Sequence, residues 1–157
     1  GVGKTTLIKK IHYELRQSGK FDQLIRVEAP RQVDAAFLRE SIGKYLGPPN
    51  PESLGAADIC SRLGGKSFVL LLDNLWQELK LADLGLSDGG LGAKRKIVFT
   101  TRLKSVCDNM EAHPVKVNVL KPQKARELFK SVTQEHIFDA SPFVEDVVSE
   151  CGGFPLA

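Results

Sequence analysis

Long apolar runs are missing from this 157-residue chain, and no stretch approaches the roughly 20 residues that a membrane-spanning helix needs. Cysteine is scarce. Cys60, Cys107 and Cys151 are odd in number, widely spaced and without a C-x-x-C pair, and the three histidines do not cluster with them. That pattern argues against a disulfide framework or a metal site and predicts reduced, mostly buried thiols in a reducing compartment. An excess of one charge is lacking too: a formal net charge of +3 is too small to argue by itself for nucleic acid or a membrane surface. What is present, 42% apolar and 26% charged residues, is the composition of a soluble globular protein with room for one ordinary domain.

Periodicity organises the chain. Leu7, Ile8, Ile11 and Leu15 recur at helical spacing over Lys4–Ser18, and Gly19 follows as a stop. Residues Leu24 to Val27 make a short strand candidate. Asp34 can cap a helix with an apolar face of Phe37, Leu38, Ile42, Tyr45 and Leu46, and GPPNP (Gly47 to Pro51) breaks it. Ala56 to Leu63 reads as a short helix closed by Gly64 and Gly65. Phe68 to Leu72, FVLLL, is the continuous apolar run of a strand buried on both faces, as in parallel sheets. After the glycine-rich Ser87 to Lys94 comes KIVFTTR, Lys96 to Arg102, a second strand that ends in polar residues. Val115, Val117 and Val119 alternate as a half-exposed or edge strand would. Strands interleaved with helices predict an α/β fold with a parallel sheet. Beyond Leu120, Gln123 to Val132 and Pro142 to Cys151 read as helices, the second with Ser141 as N-cap and Pro142 at its first position. A boundary near residue 119 separates residues 1–118 from a small helical unit at 119–157.

Three strand-associated features carry chemistry. GVGKTT, Gly1 to Thr6, is the second half of a phosphate-binding loop, G-x-x-x-x-G-K-[ST], whose leading glycine falls before residue 1. Backbone N–H groups at such a turn aim at an anion, and the helix dipole adds favourable potential. Lys4 would reach the β and γ phosphates, the Thr5 hydroxyl would ligate Mg²⁺, and Thr6 would touch the α phosphate. Asp73 ends the buried strand in FVLLLDN, where a carboxylate beside the phosphate loop can hold Mg²⁺. Thr100, Thr101 and Arg102 end the next strand, at the sheet edge where ligands bind in open α/β folds, and a guanidinium there can fork onto phosphate oxygens.

GVGKTT, LLLDNLW, KIVFTTR and CGGFPLA, in that order and end to end, resemble the NB-ARC domain of plant intracellular disease-resistance proteins, a family of the signal-transduction ATPases with numerous domains. The resemblance implies a P-loop NTPase sheet with helices on both faces, followed by the start of a helical subdomain. It also implies an ADP/ATP switch with Mg²⁺, set between an N-terminal signalling domain and C-terminal leucine-rich repeats. By the same token the protein is expected to be cytoplasmic, to oligomerise when ATP-bound and to bind no nucleic acid. Residue by residue, it assigns Gly1, Val2, Gly3, Lys4, Thr5 and Thr6 to the phosphate loop and Asp73 to Mg²⁺. Arg102 becomes the sensor of the γ phosphate, and Pro155 packs on the adenine. Trp76 resembles the coiled-coil class. On the residues alone, GGFPLA reads as a helix-ending turn. The chain is expected to be a piece of a longer protein, cut inside its first and last motifs.

Departures from the family pattern also inform. Asn74 replaces the second acidic residue, the general-base position, and an amide cannot act as a base. At most a slow ATPase is therefore expected. Arg26, Ala29-Pro30 and Lys124-Ala125-Arg126 also differ from the usual residues. A turnover ATPase or P-loop kinase is the alternative, disfavoured by Asn74 and by GGFPLA. A nucleic-acid-binding regulator is a further one; basic residues cluster only weakly, at Lys94-Arg95-Lys96, which reads as a solvated loop face.

Overall fold

A computed structural model describes residues 1–47, 50–87, 94–133 and 143–156. Two compact units are present, Leu7–Pro114 and Gly1–Thr6 with Val115–Ala157. The first holds a parallel sheet of β1 (Gln23–Glu28), β2 (Phe68–Leu75) and β3 (Arg95–Thr101) in the order β1-β2-β3. Around it lie α1 (Lys4–Ser18, from Leu7 onward), α2 (Ala35–Leu46), α3 (Ala56–Leu63) and α4 (Lys104–Asn109).

The central strand explains the arrangement. Side chains alternate across a strand, and β2 sends Phe68, Leu70 and Leu72 into a core with Leu38, Ile42, Ile59 and Leu63 of α2 and α3. Val69 and Leu71 point the other way, onto Ile8 of α1, with Ile11 and Leu15 at the margin. Both faces are thus covered, and all five residues of FVLLL are buried. At roughly 1.5–3 kcal/mol per buried large apolar side chain, this strand contributes more than any other segment of its length among the described residues.

The expected helices over 4–18 and 56–63 have the bounds found, and the Asp34 carboxylate accepts from the Phe37 N–H at 2.7 Å, as an N-cap should. Four expectations are corrected. Val115 to Val119 form no strand: β propensity needs a partner backbone, and Val115 stands 80% exposed outside every ladder among the described residues. Phe37 and Tyr45 sit at the rim of the α2 face rather than in it, with the Tyr45 hydroxyl donating to the Arg26 carbonyl. The three cysteines are free thiols but only half-buried. Arg95, read as part of a loop face, opens β3, one residue ahead of the strand expected from Lys96. Pro48, Pro49, Ser141, Pro142 and most of the glycine-rich stretch after Ser87 lie outside the described residues. Helix α4 was not foreseen; it spans a single short turn and a half with little apolar periodicity.

In the second unit α5 (Pro122–Val132) packs on α6 (Val144–Glu150), whose Val144 and Val148 meet Ala125 and Phe129. Arg126 pairs with Glu145 across them at 2.6 Å, an exposed bridge that adds little. Gly152 and Gly153 end α6 in left-handed conformations, φ 54° and 75°. The Leu120 N–H donates to the Gly153 carbonyl at 2.8 Å, and a Cβ at Gly153 would overlap the Leu120 carbonyl. GGFPLA is thus a helix-ending turn clamped to Leu120. Gly153→Ala should cost at least about 2 kcal/mol, from left-handed strain plus the clash. Gly152→Ala, with only ordinary contact to Phe154, should cost about half as much. Denaturant midpoints of the two variants check this; equal losses would show that the clamp is not tight.

Candidate functional site

The candidate residues fall into two groups, each within one unit. In the first group, Gly1, Val2 and Gly3 lead into α1. Gly3 has φ 88°, a backbone that side chains avoid, and α1 starts at Lys4 with no acidic residue in its first turn. The opening N–H groups of a helix lack intrahelical partners and carry positive potential. A cation, two hydroxyls and no competing carboxylate therefore surround donors that suit an anion. Lys4 is half-buried, whereas Thr5 and Thr6 are exposed. A Cβ placed on Gly3 would lie 3.7 Å from Pro155 Cγ, and one on Gly1 would lie 3.1 Å from Leu156 Cβ. The segment after the Gly152–Gly153 turn thus runs beside the glycine loop, and larger residues at Gly1 would crowd it.

The second group sits at the C-terminal edge of the sheet. Asp73 is on the same face of β2 as Val69 and Leu71 and is 1% exposed. Its Oδ1 accepts a short hydrogen bond from the Thr100 hydroxyl of β3, while Oδ2 has no partner among the described residues. A buried carboxylate oxygen left unpaired is costly. It suits a cation such as Mg²⁺, which is commonly held by one or two carboxylates together with phosphates and water. The strand-end hydroxyl of Thr100 also accepts from the Asn74 N–H at 2.9 Å. One threonine therefore ties the carboxylate to the residue after it.

Asn74 interrupts the ladder. Pairing shifts between Leu72 and Leu75, and Asn74 takes φ 66°, a left-handed conformation that asparagine tolerates better than most side chains. Its amide oxygen accepts from Trp76 Nε1 at 3.1 Å. The Arg102 guanidinium lies 5.8 Å from the centre of the Trp76 ring, and that of Arg31 lies 5.2 Å from it. Asp73, Asn74 and Arg102 are thus linked through Thr100 and Trp76.

The model of the NB-ARC domain matches residues 1–137. The chain belongs to the NB-ARC domain family. Its full length also aligns at 37% identity with the disease resistance protein UNI of Arabidopsis thaliana and with the probable disease resistance protein At1g61310 of the same plant. With the Arabidopsis disease resistance protein SUMM2 the identity is 34%. The chain spans 19%, 18% and 19% of these three relatives. It is thus a nucleotide-binding P-loop module of the type found in plant innate-immunity proteins, and its parallel sheet flanked by helices is the expected fold. No helix among the described residues is long and apolar enough to cross a membrane.

Two features of this NB-ARC domain were invisible in the sequence. Arg31 follows β1 without any motif around it, and its approach to Trp76 spans 45 positions. The Asn74–Trp76 bond was equally hidden, because it depends on the left-handed turn. Asp73→Asn should leave thermal stability without nucleotide unchanged or raised by up to about 1 kcal/mol, since it removes a buried charge with an unpaired oxygen. The same change should abolish the Mg²⁺ dependence of nucleotide binding. A melting curve and a titration with and without Mg²⁺ check both; a marked loss of stability would show that the carboxylate is structural.

Proposed function

We propose that this NB-ARC domain is the ADP/ATP switch of a plant disease-resistance protein. ADP holds a closed state, ATP an open one, and hydrolysis is slow. The observation that carries the reading is the buried Asp73 carboxylate with one oxygen free at the ligand-binding edge of the sheet. Asp73 and Thr5 hold Mg²⁺, which when bound neutralises charge on the β and γ phosphates. Gly1, Val2, Gly3, Lys4, Thr5 and Thr6 cradle the phosphates, and Pro155 packs on the adenine. Arg102 reads the γ phosphate, giving the differential contact that any ligand needs to shift a population. Residues 1–118 form the nucleotide-binding part and 119–157 the start of the helical subdomain. The whole protein is cytoplasmic, carries a signalling domain and leucine-rich repeats, and oligomerises when ATP-bound.

Asn74 supports a switch over a turnover enzyme, because its amide accepts from Trp76 and cannot take a proton from water. Two measurements test the proposal. Labelled ADP should bind the wild type and fail to bind Lys4→Ala; equal affinities sink the phosphate-loop assignment. In single-turnover assays at saturating Mg²⁺, Asn74→Asp should raise ATP hydrolysis by at least about tenfold, within the roughly 10²- to 10⁴-fold scope of a general base. One carboxylate oxygen can keep the Trp76 bond while the other takes the proton. Rates within a factor of about two, with both proteins binding ATP, would show that position 74 is not the base position.

A further inference from the structure

Three loops leave the same edge of the sheet from three adjacent parallel strands, and each delivers one residue to a common point. Arg31 follows β1, Trp76 follows β2 at the centre, and Arg102 follows β3. The indole of the central residue is fixed by the Asn74 amide, and both guanidiniums lie within 6 Å of its ring centre. Neither arginine has a carboxylate partner among the described residues, where the ion pairs are Lys10–Glu14, Lys44–Glu40, Lys124–Glu127 and Arg126–Glu145. Both are exposed.

Two like charges gathered on one ring repel each other, while cation–π attraction to the indole holds them there. A polyanion between them would reverse the sign of the interaction. A guanidinium held against a ring by its charge still has N–H donors to offer. We infer that Trp76 gathers Arg31 and Arg102 into a paired-guanidinium clamp for the terminal phosphate of a nucleoside triphosphate. In this clamp Arg31 is a second phosphate-reading residue and Trp76 is a positioning residue. The inference rests on the proposed reading of Arg102 and adds two residues to it. The preference for three phosphates over two then arises from two charge-assisted contacts that form together. Asn74 acts as the fixed support beneath the indole.

Trp76 is the single tryptophan of the chain, so fluorescence reports on the clamp directly. A non-hydrolysable ATP analogue should change the emission of the wild type more than ADP does. Affinities for labelled analogue and labelled ADP, taken as a ratio, read out each variant. Arg31→Ala and Arg102→Ala should each lower that ratio by about tenfold or more, the scale of a hydrogen bond to a charged group. Trp76→Leu should lower it roughly two- to fivefold, the scale of a cation–π contact at an exposed site. Trp76→Phe, which keeps an aromatic face, should stay within about twofold of the wild type. Lys10→Ala, which removes a cation from the exposed face of α1, should leave the ratio unchanged, separating the clamp from net charge. Melting curves of all variants check that the fold is kept. A wild-type ratio in Arg31→Ala, or equal ratios in Trp76→Leu and Trp76→Phe, overturns the clamp. If Arg102→Ala alone lowers the ratio, the reading of Arg102 stands and only the clamp is lost. If Arg102→Ala also has no effect, both fail.

Discussion

The central strand must be apolar on both faces and yet end in a buried carboxylate, and most of the first unit follows from that constraint. From Phe68 to Leu72 every side chain enters one of two cores, so helices have to cover both faces of the sheet. One residue further, Asp73 is still 1% exposed but carries a carboxylate. Burying such a group without full compensation opposes folding. It is tolerated because the apolar residues before it hold the strand in place and because Thr100 supplies a hydrogen bond from the neighbouring strand.

That tension shapes what comes next. A strand that simply continued past Asp73 would keep alternating its side chains between the two cores. Instead the ladder slips, Asn74 turns left-handed and Trp76 is brought onto the sheet edge. The same short segment thus ends the burial and starts the polar edge. Thr100 couples the two, donating to Asp73 and accepting from the Asn74 N–H. A change at Thr100 would therefore disturb the carboxylate and the turn together, although Thr100 itself is only half-buried.

The helical unit solves a different problem with glycine. Helix α6 must stop and send the chain past Leu120, and two successive left-handed residues with no Cβ accomplish this. Two meanings coexist in GGFPLA. As a local structure it is a helix-ending turn, which propensity alone indicates. As the segment that runs beside Gly1 and Gly3 it also sets Pro155 and Leu156 against the glycine loop.

Much of the fold was legible in the sequence because the signals are local. Helical spacing over 4–18 and 56–63, the Asp34 cap and the FVLLL run each encode their outcome within one or two turns of chain. Gly1 to Thr6, Asp73 and Arg102 stood out in the sequence as a motif set, and the structure puts Asp73 and Arg102 at the same end of neighbouring strands. Val115 to Val119 misled, since alternation expresses a preference that only a paired backbone can satisfy. Half-burial of the cysteines, the rim positions of Phe37 and Tyr45, and the placement of Arg95 in β3 were decided by packing. So was the meeting of Arg31, Trp76 and Arg102. Three parallel strands lying side by side bring together residues 26 and 45 positions apart, and no periodicity in the chain records which strands will be neighbours.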